Sequence, residues 1–163
     1  MNKISKAIII AVIIMITVLS LAGCGGKSNT IAQPAPEEGA KTVEITGSCT
    51  VEKTGDRNIR VHGVSNLMNG TKMAVCIDTA YGENIETKKY YVDSEGFYAD
   101  FTIPKNEEGP FYASIVVMPT GHGKQPLEVR EAYGPQLQNL TGEHVIWNTE
   151  GNCVVILSES FEF

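Results

Sequence analysis

Lys89–Ile103 reads KYYVDSEGFYADFTI. From Phe97 the apolar residues fall on every second position, at Phe97, Ala99, Phe101 and Ile103. That is the repeat of a strand with one buried face. Asp93-Ser-Glu-Gly96 in front of it carries turn chemistry. Read as a hairpin about that turn, the stretch sets Val92 opposite Phe97, Tyr91 opposite Tyr98, Tyr90 opposite Ala99 and Lys89 opposite Asp100. Tyr90, Val92, Phe97, Ala99 and Phe101 then share one face. The other face carries a Tyr91–Tyr98 pair beside an opposite-charge pair, contacts of about 0.2–1 kcal/mol each. A slip of one residue would turn Phe97 and Phe101 into water, so the register is expected to be well defined.

The same period extends outward in both directions. Val43/Ile45, Ile59/Val61, Met73/Val75/Ile77 and Phe111/Ala113/Ile115/Val117 alternate with other side chains. Turn signals separate them at Thr54-Gly55-Asp56, Asn69-Gly70, Asn106–Pro110 and Pro119–Gly123. No helical period is visible. The expected fold of residues 42–163 is therefore all-β: a single antiparallel sandwich of about seven to nine strands. A span of this length is enough for one core.

Upstream the composition changes. Lys3 and Lys6 precede Ala7–Gly23, an apolar run broken only by Thr17 and Ser20. As a helix it would be about 25 Å long, short for a membrane span and suited to a secretory signal. The run ends in Leu21-Ala22-Gly23-Cys24, which resembles the lipobox of bacterial lipoproteins. The resemblance implies that residues 1–23 are a removable signal helix and that Cys24 is lipidated and becomes the mature N-terminus. The protein is then expected at the cell membrane, on its extracytoplasmic face, held by lipid on Cys24. Two or three acyl chains anchor stably where one does not. Residues 24–41, rich in Gly, Pro, Ser and Ala, read as a flexible linker. Gly26-Lys27-Ser28 imitates the end of a phosphate-binding loop, but Leu21 stands where that loop needs Gly.

Of 163 residues, 13 are basic and 19 acidic. Lys3 and Lys6 are the only charges in residues 1–23, so the rest of the chain carries −8 against −6 for the whole. Nucleic acid is not an expected partner of so acidic a chain. All the aromatic residues lie between Tyr81 and Phe163, so the second half of the domain is expected to hold the best-filled part of the core.

Val61-His-Gly-Val-Ser-Asn-Leu-Met-Asn-Gly-Thr71 resembles the V-x-G-x-T-N-L-P-x-G-T signature of immunoglobulin-like domains in bacterial lipoproteins and surface proteins. Glu95-Gly-Phe97, Gly109-Pro-Phe-Tyr112, Gln125-Pro126, Gly134 and Asn139-Leu-Thr-Gly142 follow in the family's order. Ser65 and Met68 depart from its usual Thr and Pro. The likeness covers about residues 42–147 and implies an immunoglobulin-like β-sandwich at a cell surface. It brings no catalytic residue.

Besides Cys24, three cysteines remain, Cys49, Cys76 and Cys153, which allow at most one bridge. Cys49 has inward parity and Cys76 the opposite one. Because first and last strands of sandwiches often lie close, Cys49–Cys153 is the preferred pair, against the alternative of three buried thiols. His62, His122 and His144 lack the spacing of metal ligands, and no cofactor is implied. No nucleophile motif is present. The expected function is a non-enzymatic interaction or structural module with an unknown protein or cell-wall partner. The alternatives are a cell-wall glycan-binding module using Tyr91 and Tyr98, since aromatic faces stack on sugars, and an accessory or inhibitory subunit of a secreted enzyme or transporter.

Overall fold

The computed structural model describes residues 35–36, 38–94, 96–120, 123–148 and 151–163. The expected signal segment, Cys24 and most of the linker lie outside them. The first strands are β1 (Val43–Glu44), β2 (Gly47–Gly55), β3 (Asn58–Ser65), β4 (Lys72–Thr79) and β5 (Asn84–Tyr91). They are followed by β6 (Phe97–Thr102), β7 (Phe111–Val117), a helix α1 (Leu127–Tyr133), β8 (Leu140–Thr141), β9 (Val145–Asn148) and β10 (Gly151–Leu157).

Strands β5-β4-β7-β10-β9 form one antiparallel sheet and β2-β3-β6 another. The two close on a shared apolar core. The three strands packed on the larger sheet make a β-sandwich. The two-residue strands β1 and β8 pair in parallel, a departure from the purely antiparallel expectation.

The alternating positions read from the sequence do face inward. Ile59, Val61, Met73, Val75, Ile77, Ala99, Phe101, Ile103, Phe111, Ala113, Ile115 and Val117 are all buried. Each large one contributes about 1.5–3 kcal/mol by leaving water. The expected weighting toward the second half is not seen. Among the largest fully buried side chains of the described residues Phe111 is the one aromatic, and Ile45, Ile59, Met73 and Ile77 from the first half stand beside it.

The expected hairpin at Asp93–Gly96 does not form. Tyr91 lies opposite Lys72 and Tyr90 opposite Met73 in the larger sheet. Phe97 lies opposite Gly63, Tyr98 opposite His62 and Asp100 opposite Arg60 in the smaller one. The turn thus carries the chain from one sheet to the other. Val92 still holds to β4's side, its N–H donating to Thr71 O at 2.8 Å while Gly70 N–H donates to Val92 O at 2.9 Å. What draws β6 away is a gap in β3. Gly63 faces inward, and a Cβ there would lie 2.2 Å from Phe97 Cε1 and 2.7 Å from Ile115 Cδ1. The Phe97 ring occupies the space a side chain at 63 would need. Gly96, at φ 84°, enters β6 so close to Gly63 that a Cβ would come within 2.8 Å of its carbonyl oxygen.

The helix α1 also departs from the all-strand expectation. Its seven residues bury only Val129 and Tyr133, one pair four apart and too little to register as a period. Pro126 precedes it and Gly134, at φ 80°, ends it. No helix among the described residues is long and apolar enough to cross a membrane.

The segments that resemble the family signature do structural work. Asn66 receives Thr46 N–H at 2.9 Å and donates to Glu44 O at 2.8 Å, tying the end of β3 to the entry of β2. Tyr133 OH accepts Met68 N–H at 2.6 Å. Gln125 pairs with both backbone groups of Lys72 at 2.9 Å, as an added strand residue would. Leu140 is buried, and Val43 N–H donates to Asn139 O at 2.9 Å beside the β1–β8 pair.

Candidate functional site

Pairing of β2, β3 and β6 sets four outward rows on the smaller sheet: Thr50–His62–Tyr98, Glu52–Arg60–Asp100, Ser48–Val64 and Asn58–Thr102. Apart from Val64, these are polar or aromatic. Tyr98 is 63% exposed, yet its ring is fixed. It stacks on the His62 ring at 4.5 Å between centroids, the planes 10° apart. The Arg60 guanidinium lies 5.9 Å from the Tyr98 ring centre. Arg60 also grips Asp100 with two hydrogen bonds, Nε to Oδ1 at 2.7 Å and Nη2 to Oδ2 at 3.1 Å. Hydrogen bonding to Arg60 holds the Asp100 carboxyl below the usual carboxylate range, and Asp100 holds Arg60 above its ordinary value.

β6 is an edge strand of its sheet, as β2 is on the other side. Ile103 N–H donates to Arg57 O, so the backbone groups of alternate residues Phe97, Ala99 and Phe101 turn toward β3. Those of Tyr98, Asp100 and Thr102 turn outward. Lys88 of β5 reaches across from the other sheet and donates Nζ to the Asp100 backbone carbonyl. Its ammonium lies 4.6 Å from the Phe101 ring centre and 3.4 Å from Glu86 Oε1. A cleft of about 480 Å³ runs here, lined by Arg60, Glu86, Lys88, Asp100, Phe101 and Thr102 among others.

The two tyrosines read as a pair are not brought together. Tyr98 belongs to the three-stranded sheet, while Tyr91, 61% exposed, belongs to the five-stranded one. Asp100 does find an opposite charge, but Arg60 in place of Lys89. These partners were hidden from the sequence because they depend on β6 pairing with β3. The available signal was Gly63, an inward position without a side chain opposite a strand that begins with Phe97.

The expected Cys49–Cys153 bridge is not formed. Both residues are thiols, and the strand repeat separates them. Cys49 sits in the core, its thiol 3.8 Å from Ala113 O, and burial pushes it up to about 12. Cys153 alternates with the core residues Val154 and Ile156, which turns it to the outer face of the larger sheet, where Asn148 donates to its sulfur. Cys76 shares that outer face, 3.5 Å from Thr87 Oγ1, and burial raises its pKa as well. Beside it burial raises the Asp78 carboxyl, to which Asn84 donates at 2.8 Å.

His144 lies 3.7 Å from Glu143 at the start of β9, and His122 falls outside the described residues. No group of three or more His, Cys, Asp or Glu among the described residues could hold a metal ion. No family model matches the chain, and neither curated proteins nor solved structures give a match.

Proposed function

We propose that this chain is a lipid-anchored protein of the extracytoplasmic membrane face, whose folded domain is a non-enzymatic interaction module. Its contact surface is the outer face of the three-stranded sheet. One observation carries this reading: Tyr98, His62, Arg60 and Asp100 are exposed or half-buried and yet mutually fixed by stacking and paired hydrogen bonds. Side chains already held in place lose little freedom on meeting a partner, which is what preorganisation contributes to affinity. The Leu21–Cys24 segment supports the anchor, since a small-residue run ending in Cys behind a short apolar core suits lipid transfer to the thiol.

The test is made in cells on the full chain. Wild-type protein is expected to incorporate an alkyne-tagged fatty acid and remain with membranes, while Cys24→Ala incorporates none. A photo-cross-linking residue at position 98 is expected to give a discrete adduct that the same residue at position 91 does not. Labelling that survives Cys24→Ala sinks the anchor. Identical behaviour at 98 and 91 sinks the contact surface.

A further inference from the structure

We infer that the ligand of this face is a neutral saccharide, bound along the free edge of β6 with one sugar ring stacked on Tyr98. The inference rests on the reading of the three-stranded sheet as the contact surface and names its ligand class.

His62 stands on β3 and covers one face of the Tyr98 ring. Both groups against the ring, His62 and Arg60, stand on β3, so the part of the ring that gives the residue its 63% exposure faces away from β3, toward the free edge of β6. Asp100 and Thr102 follow on the same side of the strand, about 13 Å from first to last at 3.3 Å per residue. The row runs from an aromatic platform into the cleft, the length of a short oligosaccharide. Within the cleft the polar side chains of β6 are held in position. Thr102 Oγ1 donates to Asn58 Oδ1 at 2.7 Å, Asp100 is gripped by Arg60, and outward backbone N–H groups of β6 lie between them. Vicinal hydroxyls both donate and accept, and a rigid carboxylate–guanidinium pair offers acceptors and donors side by side.

Charge decides against an ionic ligand. The two cations of the cleft, Arg60 and Lys88, are each matched by a carboxylate, Asp100 at 2.7 Å and Glu86 at 3.4 Å. A charged ligand would have to break one of these pairs, and an anionic one would meet the acidic surface of the chain. An added peptide strand is disfavoured too. The Lys88 ammonium occupies the Asp100 carbonyl in the middle of the edge, which is how edge strands are protected from pairing. An aromatic ring face, dense fixed hydrogen bonding and no net charge remain, and these are the requirements of a sugar.

The experiment uses the full chain in a polyoxyethylene detergent, which carries no sugar of its own. Chitotetraose, cellotetraose, mannotetraose and peptide-free cell-wall glycan strands are titrated calorimetrically, with oligogalacturonate as the anionic control. At least one neutral saccharide is expected to give saturable heat. Tyr98→Ala is expected to weaken it about tenfold, the loss of one stacked ring, and Arg60→Gln to weaken it also. Tyr91→Ala, of equal exposure on the other sheet, is expected to change nothing. Unaltered thermal unfolding of each variant shows that the fold is intact. Absence of binding by every neutral saccharide overturns the inference, as does preference for oligogalacturonate or equal loss in both tyrosine variants. If saccharides fail while a protein adduct forms specifically from position 98, the ligand class falls and the contact surface stands. If both fail, both fall.

Discussion

Asp78 and Asp100 stand on the outer faces of opposite sheets, and their carboxyls are pushed in opposite directions. Asp100 is exposed and is held below the usual range by Arg60. Asp78 is partly removed from water, and burial raises it in spite of hydrogen bonds from Asn84 and Ser114. The same contrast runs across both faces. On β3 and β6 inward residues are buried except at the half-buried strand ends Ser65 and Phe97, and outward ones are exposed at every position except the half-buried His62. On β4, β7 and β10 the outward residues are themselves buried or half-buried: Ala74, Cys76, Ser114, Val116, Val155 and Leu157. A clean two-residue period therefore marks the face whose side chains are available to a ligand. A blurred one marks a face whose small and branched side chains cover one another.

The largest expected effect comes from the position that makes the smaller sheet what it is. Gly63→Ala sets a methyl group where Phe97 and Ile115 already lie. Overpacking of this kind costs about 1–3 kcal/mol, to be read as a lower urea midpoint at unchanged slope. Were the variant as stable as wild type, the account of why β6 leaves β5 for β3 would be wrong.

That account also explains what the sequence could and could not disclose. Parity was legible. Tyr90, Val92, Phe97, Ala99 and Phe101 do face the core, although the strands bearing them are in different sheets. In a sandwich both sheets look onto the same interior, so burial alternates identically whether β6 pairs with β5 or crosses over. Pairing was not legible, because it turns on the fit of one aromatic ring over one glycine. The Tyr98–His62 stack and the Arg60–Asp100 pair follow from that fit, so the candidate site was lost with it. Tyr98 alone was found, by its outward parity. The cysteine pairing failed for a related reason. Nearness of terminal strands says nothing of which side of its sheet a residue occupies, and Cys153 occupies the outer one.

A second test sets one face directly against the other. Val116 lies between Ala74 and Val155 on the larger sheet, and Val64 is 45% exposed on the smaller. Val116→Asp is expected to lose about 1–3 kcal/mol by forcing a polar group among apolar neighbours. Val64→Asp should stay within about 0.5 kcal/mol, as surface changes do. Chemical denaturation of both variants checks this. Equal losses would mean that the two outer faces do not differ as described.

The smallest and most specific effect concerns the two aspartates. In the unfolded chain both titrate at about 3.9. The folded Asp100 carboxyl is lower, so its contribution to stability is present above that range and is lost as pH falls through the folded value. Wild type is therefore expected to exceed Asp100→Asn in stability at pH 7, with the gap closing on acidification and shrinking in salt, because the Arg60 pair is exposed. The folded Asp78 carboxyl is higher. The fold favours its neutral form, and that advantage is present at acid pH and lost as pH rises through the folded value. An asparagine at 78 stays neutral at every pH and keeps an acceptor for the Asn84 amide, so Asp78→Asn is expected to gain on wild type between pH 3 and 7. Urea midpoints of the three proteins across that range give two difference curves of opposite slope. Slopes of the same sign would show that these carboxylates do not sit in the contrasting environments that distinguish the two faces.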